Sequence, residues 1–273
     1  NAVGTFKRKV VLVTGASSGI GAATAKLFAE HGASLAITGR NHANLQKTAE
    51  VCKILGKKDP FLFKADLTNE TETKRLLESV LLHFNHLDIL INNAGVVELG
   101  VIENTSLEQY DRIFNTNVRA VYHLTMLATP HIIARKGAIV NVSSVAALQS
   151  YVGTLAYNMS KSAIDQFTRC VALELAPKGV RVNSVNPGAV LTEMQKRGGI
   201  VGGDGALEQY VERSKKAHPL GRLGTTEEVA KAIVFLASED ASFSTGVNFP
   251  VDGGRHVLGS TGISKSAPNE IPF

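Results

Sequence analysis

Short β-rich apolar runs alternate with longer helical patterns along most of the chain, and this alternation constrains the fold more than any other feature. Several runs are continuously apolar, as expected for strands buried on both faces of a sheet. Strands are predicted at 10–14, 34–38, 61–65, 88–91, 137–143, 180–185 and 246–251. Helices are predicted at about 19–31, 42–55, 70–85, 106–133, 157–176 and 226–237. Such alternation predicts an α/β protein with a parallel sheet covered by helices on both faces.

The remaining segments bear on domain organisation. Asn69 with Glu72, Ser106 with Gln109 and Thr225 with Glu228 have the spacing of capping boxes at helix starts. The glycine-rich region at about 188–225 has too few apolar residues for a domain of its own, and we interpret it as a substrate loop. We find no linker and no repeat, so we predict a single domain over 1–254 followed by a tail at 255–273.

Composition disfavours several classes of protein. The chain has 273 residues, a net charge of +5 and no long basic run, which disfavours a nucleic-acid partner. It has no apolar run of about 18 residues, so no membrane span is expected. The start of the sequence lacks the apolar core of a signal peptide, and the two cysteines form no motif, so a reducing, cytoplasmic location is expected. The eight histidines are dispersed, and no metal site is predicted.

The first strand runs directly into a glycine-rich turn and then into a helix. Gly15, Gly19 and Gly21 stand where the backbone must bend sharply and approach other atoms closely. The start of the following helix offers free N–H groups and a positive dipole end to a phosphate. This arrangement predicts a dinucleotide site, with a tight turn that binds no ligand as the alternative.

The end of the second strand distinguishes between two dinucleotides. An acidic residue about 20 positions after the glycine loop is typical of NAD binding, and an arginine there is typical of NADP binding. No carboxylate lies between His31 and Ala49, and Arg40 follows the strand. The sequence therefore favours NADP(H) over NAD(H), unless Arg40 is simply a solvated surface residue.

Tyr157 and Lys161 are four residues apart in a predicted helix, so they share one face. An ammonium beside a phenol favours the phenolate and lowers the phenol pKa, which makes proton transfer easier at neutral pH. Ser144 closes the preceding strand and is placed to hydrogen-bond a carbonyl oxygen opposite Tyr157. The pair alone is also compatible with a solvated helix surface.

Taken together, these motifs resemble the short-chain dehydrogenase/reductases from about Lys7 to Gly254. The family's TGxxxGxG motif corresponds to Thr14–Gly21, and its NNAG to Asn92–Gly95. The active-site asparagine corresponds to Asn117 in NTNV, and the serine and Tyr-x-x-x-Lys set to Ser144, Tyr157 and Lys161. Two small departures, YNMSK for YxASK and SSVAAL for SSVAG, bear on specificity and packing and remove no catalytic group.

The resemblance implies a doubly wound Rossmann fold with seven parallel strands in the order 3-2-1-4-5-6-7. It implies four catalytic residues: Asn117, Ser144, Tyr157 and Lys161. The residues expected to bind the cofactor are Gly15, Ser17, Ser18, Gly19, Ile20, Gly21, Arg40, Asn41, Asp66, Leu67, Asn93, Ala94, Gly95, Tyr157, Lys161, Pro187, Gly188, Val190 and Thr192. The residues expected to contact substrate are Ser144, Ala146, Gln149, Tyr151 and Met194.

The expected activity is NADP(H)-dependent interconversion of a carbonyl compound and an alcohol, with Tyr157 as general acid or base. The candidate pocket has no carboxylate or arginine clearly aimed at it, which favours a lipophilic or uncharged small-molecule carbonyl. The alternatives are an NAD-dependent alcohol or hydroxysteroid dehydrogenase and a dinucleotide-binding regulator without catalysis. Family members commonly pair their long helices, so a homotetramer is expected, with a dimer as the alternative.

Overall fold

The computed structural model describes residues 5–200 and 205–258. Its strands are β1 (Val10–Val13), β2 (Ser34–Gly39), β3 (Phe61–Lys64), β4 (Ile89–Asn92), β5 (Ala138–Val142), β6 (Arg181–Pro187) and β7 (Asn248–Val251). Its α-helices are α1 (Gly19–Glu30), α2 (His42–Gly56), α3 (Glu70–Phe84), α4 (Leu107–Phe114), α5 (Ala120–Arg135), α6 (Leu155–Leu175), α7 (Glu193–Arg197), α8 (Ala206–Lys216) and α9 (Thr226–Ala237).

The strands form a seven-stranded sheet in the order β3-β2-β1-β4-β5-β6-β7, and every pairing is parallel. This confirms the fold and strand order expected from the sequence. The order reverses at β1, where Val11 lies between Leu35 of β2 and Ile89 of β4. Ligands of doubly wound sheets bind at such a switch point, beyond the carboxyl ends of the strands.

The core consists of two apolar layers, one on each face of the sheet. Successive strand residues point to opposite faces, so Val11 and Val13 pack on one layer while Val10 and Leu12 pack on the other. Helices α1, α2 and α9 cover the first layer, and α3, α5 and α6 cover the second. The strands are therefore buried on both sides, which explains their continuously apolar sequences.

The structure differs from the predicted helices in two places. The segment predicted as one helix at 106–133 is divided into α4 and α5 by a π-helical stretch at Asn115–Arg119. The region predicted as an irregular substrate loop contains α7 and α8. Part of that loop, at 201–204, and the tail from 259 onward lie outside the described residues.

Helix α9 has the complete capping box among the three predicted. The Thr225 side chain accepts from the main-chain N–H of Glu228, and the Glu228 carboxylate accepts from the main-chain N–H of Thr225. Asn69 and Ser106 each cap one N–H as predicted. The second contact of each box, from the N3 side chain to the N-cap N–H, is replaced by another. Glu72 accepts from the N–H of Asp66, and Gln109 donates to the Leu99 carbonyl.

A buried carboxylate connects the central strands at the amino-terminal edge of the sheet. Asp88 has a fully buried side chain and accepts from the main-chain N–H of Val10 at 2.8 Å. Its other oxygen accepts from the Nε of Arg135 at 3.0 Å, and Lys9 lies 3.7 Å away. Breaking a buried ion pair leaves uncompensated charge and an unpaired donor, which is costly.

We expect Asp88→Ala to lower the free energy of unfolding by about 3 kcal/mol, because Val10 and Arg135 both lose a buried partner. Chemical denaturation monitored by circular dichroism measures this change. Asp59→Ala is the matched control, since Asp59 pairs with Lys53 but is 76% exposed, and exposed pairs contribute little. Equal effects of the two substitutions would contradict the structural role of Asp88.

Candidate active site

The glycine turn and the segment after β4 meet at the switch point. The Thr14 hydroxyl accepts from the main-chain N–H groups of Asn93 and Ala94 at 2.9 and 3.0 Å. The Asn93 side chain donates to the Thr14 carbonyl at 2.8 Å and to the Gly15 carbonyl at 3.3 Å. The side chain of Asn93, predicted to contact the cofactor, therefore holds these two segments together.

The glycine turn has the backbone that a dinucleotide needs. Gly15 and Gly19 have φ angles of +64° and +56°, in the left-handed region that favours glycine. A Cβ on Gly21 would lie 2.4 Å from the Gly15 carbonyl oxygen, so no side chain fits there. Main-chain groups and the start of α1 therefore remain accessible to a diphosphate, and these residues fit a dinucleotide.

Ser144, Tyr157 and Lys161 come together beyond the carboxyl end of β5. The Ser144 hydroxyl accepts from the main-chain N–H of Ala146 at 3.1 Å, at the start of a short 3₁₀ turn, and Tyr157 lies near it. The Lys161 ammonium lies 5.7 Å from the centre of the Tyr157 ring. It is buried and donates to the Val142 carbonyl at 2.8 Å.

The electrostatics of Tyr157 differ from the expectation. Burial raises the pKa of the Tyr157 phenol, and the Ser144 hydroxyl is the neighbour that lowers it. The expectation that Lys161 lowers this pKa was wrong for the present arrangement, because the ammonium is directed at the Val142 carbonyl. Burial also lowers the pKa of Lys161, to about 8, against the opposing charge of Asp165. The phenol is thus held in its protonated, donating form.

Asn117 acts as a brace within the π-helical stretch. Its side-chain oxygen accepts from the N–H of Val96 at 2.8 Å, and its nitrogen donates to the Val96 carbonyl at 2.9 Å. The same nitrogen donates to the Ser160 hydroxyl at 3.0 Å, next to Lys161 in sequence. The side chain therefore joins the segment after β4 to α6. The role of Asn117 in anchoring a water stays a prediction.

The predicted adenosine-side residues lie after β2 and β3. Arg40 is exposed, and among the described residues nothing forms an ion pair with it. Asn41 caps α2 by accepting from the N–H of Asn44. Asp66 accepts from both the N–H and the hydroxyl of Thr68, at 3.0 and 2.8 Å. The side chains of Asn41 and Asp66 thus have structural partners, while Arg40 remains accessible to an anion.

The segment after β6 lies against the glycine turn and the β4 segment. A Cβ on Gly19 would lie 3.1 Å from a Thr192 methyl carbon, and one on Gly95 would lie 3.9 Å from the Met194 methyl carbon. Gly198 approaches Val97 so closely that a Cβ would lie 2.5 Å from the Val97 carbonyl oxygen. Thr192, predicted to contact the cofactor, therefore lies beside the glycine turn, and Met194, predicted to contact the substrate, lies near Gly95. Both roles stay predictions.

Gln149 and Tyr151, two predicted substrate residues, are linked to the segment after β7. The Tyr151 hydroxyl donates to Gln149 and accepts from the Arg255 Nε at 2.9 Å, and the guanidinium lies 4.4 Å from the Tyr151 ring centre. Gln149 also donates to the His256 carbonyl. Arg255 is thus an arginine near two of the predicted substrate residues, and its guanidinium is held by Tyr151. A groove of about 640 Å³ runs along this loop, but Ser144, Tyr157 and Lys161 do not line it.

Three residues near the site lie within the predicted substrate loop at 188–225 but were not named individually from the sequence. Tyr210 on α8 is close enough to Tyr157 to raise its pKa. Arg197 on α7 donates to the Ser18 hydroxyl of the glycine turn at 3.3 Å. His218 is buried and accepts from the N–H of Ala189 at 3.0 Å. Only Arg197 had a usable signal, a cation in the predicted loop; the other two depend on how the chain folds back.

A glycine turn at the switch point of a doubly wound sheet, beside a Tyr–Lys pair, defines a dinucleotide-binding α/β oxidoreductase. A family model described as "Enoyl-(Acyl carrier protein) reductase" matches residues 15–256. The chain belongs to the short-chain dehydrogenase/reductase family. It is accordingly an oxidoreductase acting on CH–OH and C=O groups, with a nicotinamide dinucleotide as cofactor.

The proteins that this chain resembles are named for different activities. The 3-oxoacyl-[acyl-carrier-protein] reductase FabG of Thermotoga maritima is 37% identical over 90% of this chain and 97% of its own. Cyclopentanol dehydrogenase of Comamonas sp. is also 37% identical, over 92% and 98%. A Caenorhabditis elegans short-chain dehydrogenase/reductase of unknown function, solved with cofactor, has a TM-score of 0.88 and 36% identity, covering 94% of this chain and 98% of its own.

A fourth relative was solved with a bound dinucleotide. The 3-ketoacyl-(acyl-carrier-protein) reductase of Brucella melitensis, complexed with NADH, has a TM-score of 0.84 and 32% identity, covering 92% of this chain and 100% of its own. Within the part of the chain that the structure describes, no helix is long and apolar enough to cross a membrane. No cluster of potential metal ligands occurs there either.

The buried ammonium of Lys161 gives a pH-dependent stability. Its pKa is about 8 in the folded chain and near 10.5 when unfolded, so between these values the unfolded chain binds more protons. Stability from this group therefore rises with pH from about 8 to 10.5. We expect Lys161→Met to raise the Tm relative to the parent chain more at pH 7 than at pH 10, as measured by calorimetry.

Lys74→Met is the matched control, because the Lys74 side chain is 67% exposed. Its effect on the Tm should be the same at both pH values. If the Lys161→Met effect were also independent of pH, the ammonium would not be titrating in a buried environment.

Proposed function

We propose that the chain is an NADP(H)-dependent carbonyl reductase that also runs in reverse as an alcohol dehydrogenase. The observation that carries this proposal is that Ser144, Tyr157 and Lys161 lie together beyond the carboxyl end of β5, with the Lys161 ammonium close to Gly95. Two hydroxyls and an ammonium at one point are the groups that carbonyl reduction requires. A bound reduced nicotinamide would supply the hydride to the carbonyl carbon.

Each side chain has a separate part in this proposal. The Ser144 hydroxyl donates to the substrate carbonyl oxygen and stabilises its developing negative charge. Tyr157 donates the proton to that oxygen, in keeping with the raised pKa of its phenol. Lys161 holds positive charge near the phenol and binds the ribose hydroxyls of the nucleotide. Asn117 braces the segment after β4 against α6 and, as expected from the family, anchors a water near Lys161.

NADP(H) is proposed over NAD(H) because of the charges at the end of β2. Arg40 is an exposed cation, and no carboxylate lies between His31 and Ala49. A ribose 2′-phosphate would satisfy the guanidinium through charge-assisted hydrogen bonds. Because a relative was solved in complex with NADH, an NAD(H)-dependent alcohol dehydrogenase is the second candidate.

The substrate is proposed to be a lipophilic or uncharged carbonyl compound. Ala146 is apolar and Met194 lies beside Gly95, so the predicted pocket residues nearest the chemistry carry no charge. Arg255 is occupied by Tyr151, which reduces its availability to an anionic substrate. The Thermotoga and Comamonas relatives are named for a 3-oxoacyl-[acyl-carrier-protein] and for cyclopentanol, which agrees with a carbonyl or alcohol carbon as the reacting centre.

A homotetramer is the proposed assembly, with a dimer as the alternative. Large apolar side chains are exposed on the helices that family members pair: Leu107 on α4, Tyr122 and Met126 on α5, and Leu173 on α6. Pairing with another copy would remove these apolar surfaces from water. Sedimentation equilibrium measures the assembly directly.

Tyr157→Phe should lower turnover of a ketone with NADPH by at least about a hundredfold, because the proton donor is lost. The dissociation constant for NADPH should change by less than about twofold, since one hydroxyl makes a small part of the binding surface. Stopped-flow oxidation of NADPH and fluorescence titration measure the two quantities. Tyr122→Phe, which removes an exposed phenol on α5, is the control. A rate near that of the parent chain in Tyr157→Phe would refute the proton-donor assignment.

Arg40→Ala should weaken NADPH binding by about tenfold or more and leave NADH binding nearly unchanged, because only NADPH carries the 2′-phosphate. Fluorescence titration with both nucleotides measures this ratio. Arg169→Ala, at an exposed arginine on α6, should affect neither. Equal weakening of NADPH and NADH would support the NAD-dependent candidate instead.

A further inference from the structure

A buried carboxylate behind the proposed catalytic residues has no part in the chemistry described so far. Asp165 lies on α6 one helical turn after Lys161, and only 3% of its surface is exposed. Among the described residues, no cation lies within ion-pair distance of it. A buried carboxylate without a direct cationic partner is costly unless hydrogen bonds compensate it. Its presence therefore requires an explanation.

The compensating donor is an asparagine at the end of β6. The side-chain nitrogen of Asn186 donates to the two carboxylate oxygens of Asp165, at 2.8 and 3.1 Å. The same nitrogen donates to the main-chain carbonyl of Ser144 at 3.0 Å. Asn186 is itself fully buried. One amide group thus connects the catalytic helix with the backbone of the catalytic serine.

The surroundings of this bridge prevent it from turning. The Ser184 hydroxyl donates to the side-chain oxygen of Asn186 at 3.2 Å, which fixes which way the amide faces. The Ser143 hydroxyl donates to the main-chain carbonyl of Lys161 at 3.1 Å. Burial raises the pKa of the Asp165 carboxyl, and the nearby Ser143 hydroxyl and the Asn186 amide oppose that rise. The ends of β5 and β6 are therefore joined to one turn of α6 by side-chain contacts.

Asp165 also acts on Lys161 through its charge. It is the neighbour that raises the pKa of Lys161 against the effect of burial. The charged groups on α6 near Asp165 are Lys161 and Arg169. From β5, β6 and β7 it faces neutral side chains, those of Ser143, Asn186 and Asn248.

We propose that Asp165 and Asn186 are positioning residues: Asn186 holds Ser144 towards Tyr157, and Asp165 holds Asn186 while maintaining the positive charge of Lys161. The inference rests on the proposed roles of Ser144 and Lys161. The two residues have different functions, one in geometry and one in charge, so each can be tested by its own substitution. Loss of Asn186 affects geometry and leaves the charge in place, whereas neutralising Asp165 removes the charge and keeps the shape.

Two variants test this separation. Asp165→Asn should lower the turnover number for ketone reduction about tenfold, by loss of a charge-assisted hydrogen bond, and move the alkaline decline of the pH–rate profile to lower pH. Asn186→Ala should lower the turnover number by a similar factor and leave that decline where it is in the parent chain. In both variants the dissociation constant for NADPH should remain within about twofold, because the bridge contributes no cofactor contact.

Asp88→Asn is the matched control, since it neutralises another buried carboxylate at the opposite edge of the sheet. It should lower the Tm without moving the pH–rate profile. The proposal is overturned if Asp165→Asn leaves both the turnover number and the profile unchanged, or if its profile matches that of Asp88→Asn.

A readout without turnover separates this proposal from the proposed function. At pH 7 the Lys161 ammonium is charged, and Asp165→Asn removes its attraction, so the Tm should fall below that of the parent chain. At pH 10 the buried lysine is neutral, and the gap in Tm should narrow. If the Tm difference between Asp165→Asn and the parent chain narrows at pH 10 while no ketone is reduced, the charge coupling of Asp165 to Lys161 is supported and the proposed function is rejected. A gap that is equal at both pH values rejects the charge coupling.

Discussion

The hydrogen bond from the Lys161 ammonium to the Val142 carbonyl joins α6 to the central sheet. Its length of 2.8 Å within a buried site fixes α6 against the end of β5. Because Tyr157 precedes Lys161 by one helical turn, the same contact determines where the phenol lies relative to Ser144. Burial of the ammonium is unfavourable, and the lowered pKa of Lys161 reflects that unfavourable free energy. The remainder of the site is arranged around a cation that the protein keeps out of water.

Much of the architecture could be predicted because each strand is buried on both faces and each βα unit repeats one pattern. The order of the strands came from family resemblance, and the parallel sheet came from alternation alone. The divided helix at 106–135 could not be predicted, because the π-helical stretch depends on the tertiary contacts of Asn117 with Val96 and Ser160. Helix α8 is polar, with few apolar residues to mark a period, and the Gly-rich flanks obscured it.

Site residues that are positioned by local geometry could be predicted, whereas those positioned by contacts between distant parts of the sequence could not. Ser144, Tyr157 and Lys161 stand at fixed spacings on one strand end and one helix, so local geometry brings them together. Arg255 reaches Tyr151 across 104 positions of sequence, and Asn186 reaches Asp165 across 21. Side-chain contacts over such separations depend on the register of the strands and on helix orientation. The pKa of Tyr157 was likewise misjudged, because burial cannot be calculated from the spacing of two residues.

Asp88 and the proposed catalytic residues lie at opposite edges of the same sheet. The amino-terminal edge is joined by a buried carboxylate that has no part in the proposed chemistry, and the carboxyl-terminal edge is surrounded by loops that contribute little to the core. Residues in these loops are therefore largely separate from the two apolar layers that hold the sheet and helices together. This separation offers a physical basis for relatives of similar identity that carry the names of different alcohol and carbonyl substrates.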